Sequence, residues 1–252
     1  MTWSPHLWHR YFCSAYFLVV FRHRIIMGKI LPLALPILFF LFVIGIIVAI
    51  IIYNNKKEKE RTLAMEQVAR QMGWAFAPVA QLAMIPHSGY FNLFNTGHSK
   101  SIKNMIYGQI NGAKAAIFDY RYTVGHGKNS HTYTQSVLYF ESPKLQLPMF
   151  TLSPENFMHK FISALGYQDI DFAQRPDFSK KYLLRGQDEQ AIRRTFQDNI
   201  LSFYEANQGL HTEGGGSQLF VYRLSNRAQP QQVGQYLQWG AQSVLPLFQR
   251  QW

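Results

Sequence analysis

The chain has 252 residues, 48% of them apolar and 15% charged, with 25 basic residues against 14 acidic ones. That balance excludes a disordered chain, and the lone Cys13 excludes an intramolecular disulfide framework or a multi-cysteine zinc site. The net charge of +11 suggests nucleic-acid binding until it is mapped: residues 1–61 hold eight basic and two acidic residues, against 17 and 12 in residues 62–252.

Residues 30–53 read ILPLALPILFFLFVIGIIVAIIIY, 24 residues without a charge. A helix of this length rises about 36 Å, enough to cross a hydrocarbon core of about 30 Å. Pro32 and Pro36 fall in the first turns, where a missing N–H costs least. A cleaved signal peptide has an apolar stretch of only about 7–15 residues and a small-x-small cleavage site. Here the stretch is longer and Tyr-Asn-Asn-Lys-Lys follows it, so the segment reads as an uncleaved signal anchor of a single-pass membrane protein.

Flanking bases set orientation. Lys56, Lys57, Lys59 and Arg61 follow the span; Arg10, Arg22, Arg24 and Lys29 precede it. Met27-Gly-Lys immediately before the apolar run reads as the initiator, with residues 1–26 of the 1–29 extension untranslated. Only Lys29 then precedes the span, and the C-terminal domain is expected in the cytoplasm, at a bacterial inner membrane; with residues 1–26 translated, four bases stand on each side and the orientation stays open.

Residues 54–73 form a basic juxtamembrane helix in this reading. Ala64, Val68 and Met72 share one face, Glu66 and Arg70 pair at i,i+4, and Gly73 ends it. Lys56, Lys57, Lys59 and Arg61 are expected against anionic lipid headgroups.

The soluble domain is residues 74–252. The runs 104–110 and 113–122 are β-prone and flank Asn111-Gly112, a strong hairpin signal. Alternation puts Ala116, Phe118, Tyr120 and Tyr122 on one face, with Asp119 and Arg121 on the other. A polar loop, 125–130, leads to a third strand, 131–141. Ser153-Pro154-Glu155 has the chemistry of a helix start, with Phe157, Phe161, Ile162 and Leu165 as its apolar stripe. Short strands are expected at 170–172 and 182–185. A long helix is expected over 188–206, with Ile192, Phe196, Ile200 and Phe203 at helical spacing. Strands 210–213 and 218–224 flank Gly214-Gly215-Gly216-Ser217. A last helix begins near Pro230, with Val233, Leu237, Gly240, Val244 and Leu247 on one face. Hairpins mixed with helices predict an α+β fold: a single N-terminal transmembrane helix, then an antiparallel-sheet domain with packed helices.

Chemical motifs are sparse. Gly125-His-Gly-Lys128-Asn-Ser130 lacks the spacing and the Ser or Thr of a phosphate loop, and a strand follows it. His87, His98, His126 and His131 lack metal-ligand spacing. Asp169-Ile-Asp171 is expected to put two acids on the solvent face of a short strand. No nucleophile elbow or dinucleotide fingerprint is present. No residue is therefore assigned to catalysis, a cofactor or a metal. Arg121, His126, Lys128 and His131 form a candidate recognition loop. The +5 of residues 62–252 reads as dispersed, with no lysine-arginine block, and predicts no nucleic-acid partner.

The segments FDYRYTVGHGKNSHTYTQSV, LPMFTLSPENF and GYQDIDFAQRPDFSKKYLLRGQDEQAIRRTF resemble an uncharacterised family of bacterial membrane-anchored proteins. The resemblance covers most of residues 70–250. It implies one or two N-terminal transmembrane helices, a cytoplasmic α+β domain and a bacterial origin, and it carries no known activity. The leading reading is a binding, sensing or interaction module at the membrane surface, with membrane lipids and a protein partner or self-association as its contacts. The alternatives are a membrane-tethered enzyme with a site built from dispersed residues, and an oligomeric envelope scaffold.

Overall fold

The computed structural model describes residues 6–155 and 169–249, with side chains from residue 36 onward. The chain divides into two units, Met1–Lys59 and Glu60–Trp252. The first carries most of a long helix, α1 (His6–Met72). It is the one helix among the described residues that is long and apolar enough to cross a membrane, and nothing covers that stretch: Ile37, Phe39, Phe42 and Ile51 are all more than half exposed.

The second unit begins with the last turns of α1. Met65 and Ala69 are fully buried there, with Val68 and Met72 packed beside them. The buried stripe thus runs Met65, Val68, Ala69, Met72 rather than Ala64, Val68, Met72, which widens the expected face by one residue position.

Eight strands follow: β1 (Ala75–Ala80), β2 (His98–Ile110), β3 (Ala113–Val124), β4 (His131–Glu141), β5 (Leu147–Pro154), β6 (Tyr182–Gly186), β7 (His211–Gly216) and β8 (Gln218–Tyr222). They form one sheet in the order β1-β2-β3-β4-β8-β7-β5-β6, every neighbouring pair antiparallel. The α+β architecture is thus an apolar helix followed by an eight-stranded antiparallel sheet with packed helices.

The β2–β3 hairpin turns at Asn111 (φ 52°) and Gly112 (φ 74°). Two successive left-handed residues make the turn whose twist suits paired strands, which is why Asn-Gly is favoured there. The second hairpin turns later than the glycine run suggests. Gly214 and Gly215 lie inside β7 because Phe150 and Met149 sit where their Cβ atoms would be.

Side-chain alternation divides the core between the two faces. On one lie Ile106, Ile117, Leu138, Phe140, Leu152 and Val221, covered by the end of α1 and by the C-terminal helices. On the other lie Phe118, Tyr120, Tyr122, Tyr139, Phe220 and Tyr222, covered by residues 82–95, which insert Ile85, Phe91, Leu93 and Phe94. The second cover contains the one-turn helix α2 (Asn92–Asn95).

Three local expectations change. Ser153 and Pro154 close strand β5 instead of opening a helix, because Phe150 and Leu152 alternate into the core between β6 and β7; the stripe from Phe157 to Leu165 lies outside the described residues. The helix expected over 188–206 is two helices, α4 (Glu189–Thr195) and α5 (Asp198–Ala206), the shorter helix α3 (Pro176–Lys181) preceding β6. Phe196 leaves helical geometry between them, and the Gln197 Nε2 donates to the Arg193 and Arg194 carbonyls that the break exposes. At the C-terminus, α6 (Val233–Trp239) and α7 (Leu245–Phe248) flank a π-helical segment, Gly240–Val244. That insertion shifts the buried stripe to Ala241, Val244, Leu245 and Phe248, leaving Leu247 at the margin.

Both sheet edges are obstructed. Pro78 interrupts β1, removing a donor. Along β6, the Leu184 amide donates to the Asp169 carboxylate and its carbonyl accepts from Ile170, although residues 170–172 form no strand. Asp171 is exposed as expected, whereas Asp169 is half-buried and its pKa is raised by burial.

Phe196 is buried edge-on against Phe150 at 4.9 Å and also meets Phe248. Phe196→Ala should cost about 3–5 kcal/mol in chemical denaturation of the detergent-solubilised chain; a loss under about 1 kcal/mol would show that this junction is not core.

Candidate functional site

Asp119 joins three distant parts of the domain. The Arg61 guanidinium donates twice to its carboxylate, Nε to Oδ2 and Nη2 to Oδ1, both at 2.8 Å. Arg61 also donates to the Ala228 carbonyl, and Arg227 Nη2 reaches Asp119 Oδ2 at 3.0 Å. The Ser136 hydroxyl and the Asn104 amide complete the shell. Asn104 arrives there by way of a β-bulge: residues 103–106 oppose 117–119 with one residue extra, and Asn104 takes the left-handed conformation at φ 54°. Burial opposes ionisation of Asp119, but Arg61, then Arg227 and Asn104, outweigh it and hold the pKa below the ordinary 3.8. Stability from this shift is present above the ordinary carboxylate range and is lost on acidification through the lowered pKa.

This corrects one expectation. Arg61 is not directed at lipid headgroups: its side chain is 11% exposed and bound to Asp119. A carboxylate at 4% exposure needs a charged partner at close range, and the helix supplies it. Lys56, Lys57 and Lys59 are exposed.

The four residues of the candidate recognition loop lie at one end of the sheet, on both of its faces. Arg121 is exposed near the end of β3, on the α1 face beside Asp119. His126 and Lys128 are exposed in the β3–β4 loop, whose Gly125 takes φ 78° with Asn129 too close for any Cβ. His131 opens β4, edge-on to Tyr133 with centroids 4.4 Å apart. The fold brings further residues to them. His98 stacks on His126 at 5.1 Å and contacts the Gly125 carbonyl through Nε2 at 2.9 Å. Lys103 is exposed on the Arg121 side, opposite Asp119 in the β2–β3 register.

The domain charge is not dispersed. Residues 67–140 contain six basic residues and a single acid, Asp119, which is buried and paired. Residues 141–252 contain eleven basic and ten acidic residues. The excess therefore belongs to the β1–β4 half. A running charge count would have found it, since no acid occurs between Glu66 and Asp119.

A second pair carries further perturbed titrations. His211 and Glu213 project from β7 beneath residues 82–95. His211 stacks on Tyr222 at 4.9 Å, and Tyr222 Oη donates to Glu213 Oε1 at 3.2 Å. Both Glu213 oxygens accept from the Leu93 amide. Burial raises the Glu213 pKa to about 7, and these hydrogen bonds only partly offset it; burial lowers that of His211 to about 3. Neither group lines the cleft of about 590 Å³ that is bounded by Gln146, Met149, Asp188, Arg194 and Thr195. Among the described residues, no group of three or more His, Cys, Asp or Glu side chains gathers as a metal site.

No family model matches the chain, and no curated protein matches it. Among solved structures the chain is similar to the crystal structure of the mycobacterial trehalose monomycolate transport factor A, TtfA, with 12% identity and a TM-score of 0.49, over 70% of this chain and 88% of that one.

Asp119→Ala should destabilise the chain by about 3–5 kcal/mol in urea unfolding, because two guanidinium groups lose their counter-charge in a buried setting. A loss under about 1 kcal/mol would mean that the network is worth no more than a surface ion pair.

His211 and Glu213 have opposed effects on stability. Glu213, with its pKa raised from 4.5 to about 7, loses stability as pH rises across that interval. His211, with its pKa lowered from 6.5 to about 3, loses stability as pH falls across that one. Between pH 4.5 and 6.5 the two slopes cancel. Glu213→Gln should therefore unmask a melting temperature that rises with pH in that window, and His211→Gln one that falls. Identical pH profiles for both variants would refute the neutral buried pair.

Proposed function

We propose that this is a single-pass membrane protein of the bacterial inner membrane whose α+β domain is a cytoplasmic binding module at the bilayer surface. The observation that carries the reading is the apolar stretch of α1, whose large side chains are exposed, while the sheet of the second unit has cover on both faces. Water does not tolerate so long an uncovered apolar helix, and a bilayer does. The bases after the span outnumber the single Lys29 directly before it, which favours the cytoplasmic side, where Lys56, Lys57 and Lys59 would lie against headgroups. The resemblance to uncharacterised membrane-anchored proteins favours the same arrangement.

A binding role is favoured over catalysis by the separation of cleft and chemistry. The Glu213 carboxyl and the His211 imidazole are sealed in the core, while the exposed His98, His126, His131, Arg121 and Lys128 gather toward the β3–β4 end.

The full chain should remain in the membrane pellet through alkaline carbonate extraction, and deletion of residues 30–53 should release it. Fused at its C-terminus, a green fluorescent protein should fluoresce and alkaline phosphatase should stay inactive. Carbonate release of the intact chain would overturn the anchor, and phosphatase activity would overturn the cytoplasmic placement.

A further inference from the structure

The charge asymmetry of the domain has a spatial form. At the β3–β4 end, Lys128 lies in the loop and His98, His126 and His131 are exposed beside it, while Arg121 and, further along the strands level with Asp119, Lys103 are exposed on the α1 face. Of the two acids in this half of the sheet, Asp119 is buried and Glu141 lies at the opposite end of β4, paired with Lys114. The result is a collar of cations and hydrogen-bonding imidazoles around a protruding loop. Two glycines with positive φ, Gly125 and Gly127, keep the loop free of bulky side chains near its tip.

Within the domain, the helix that begins it runs along β3. Arg61, the second residue of the domain, meets Asp119, whereas Trp74 lies over Gly108, which pairs with Ala115 near the Asn111-Gly112 turn. The first helical turns of the domain therefore begin toward the loop end of the sheet. Only residues 54–59 separate Tyr53 from the first residue of the domain.

We propose that this collar docks on an anionic phospholipid surface, with Arg121, Lys128 and Lys103 as its principal contacts. The inference rests on the membrane-anchored reading and names the ligand chemistry of the same surface. Charge complementarity selects a lipid plane: cations placed on both sheet faces around one tip suit a surface approached end-on, whereas a nucleic-acid strand is tracked along a groove with stacking aromatics. Each basic residue brought to an anionic surface strengthens partition about fivefold. A short tether keeps the domain at high effective concentration beside that surface, so a few such contacts suffice.

The test reconstitutes the full chain into vesicles of phosphatidylcholine alone and of phosphatidylcholine with phosphatidylglycerol, and follows amide hydrogen exchange in residues 125–130. The expected result is exchange slowed roughly tenfold in the anionic vesicles only, with the effect lost at high salt. The double variant Arg121→Glu with Lys128→Glu should abolish the slowing, and Lys144→Glu, at the other end of β4, should leave it intact. Equal exchange in the two vesicles would overturn the proposal while leaving the anchor standing. Equal slowing in neutral vesicles by added inorganic phosphate or RNA would also overturn it, assigning the collar to a soluble anion or a nucleic acid. Failure of the chain to float with either vesicle would overturn the anchored reading itself and this inference with it.

Discussion

A single buried carboxylate holds the domain to its first helix. Asp119 sits in the middle of β3 with almost no solvent, and an unpaired charge in that position would be too costly to keep. It is satisfied by groups from residue 61, residue 104, residue 136 and residue 227, which the sequence scatters widely. A buried charge constrains the fold in a way that an apolar contact does not. Hydrophobic packing tolerates small slips, whereas a carboxylate needs its donors within hydrogen-bonding distance and in the right direction. The helix register, the bulge at Asn104 and the path of residues 223–228 all answer to that requirement.

The two faces of the sheet solve their packing differently. One mixes aliphatic side chains with phenylalanine and is covered by helices. The other is rich in tyrosine and covered by a segment with little regular structure, tied down through the Leu93 amide on Glu213 and the Pro86 carbonyl on Gln218. Tyrosine suits such a cover: its ring supplies apolar area while its hydroxyl meets polar atoms that irregular backbone brings close. The titratable residues of that face are best understood as part of this polar packing.

Local chemistry was legible in the sequence, and remote pairing was not. Asn111-Gly112 marked its hairpin, the alternation from Ala116 to Tyr122 assigned both faces of β3, and His131 to Glu141 was delimited as a strand. The alternation put Asp119 opposite the tyrosines but could not show it buried, because its partners lie 58 and 108 residues away. Ser153-Pro154-Glu155 has the right residues for a helix start, yet two strands distant in sequence claim the segment. The break at Phe196 and the π-helical insertion after Trp239 keep apolar residues at near-helical spacing, so periodicity alone cannot reveal either. The loop residues Arg121, His126, Lys128 and His131 could be named from composition. His98 and Lys103 join them only through the β2–β3 register.

The obstructed strand edges bear on how such a chain coexists with its own copies. Molecules held in a membrane diffuse in two dimensions, share one orientation and meet repeatedly with the same sides facing. An open sheet edge presented under those conditions would invite strand-to-strand joining and open-ended growth. Pro78 on one border, and Asp169 with Ile170 on the other, remove the backbone template for that growth. Encounters between crowded neighbours are thereby left to side chains, whose contacts form and dissolve without exchanging strands.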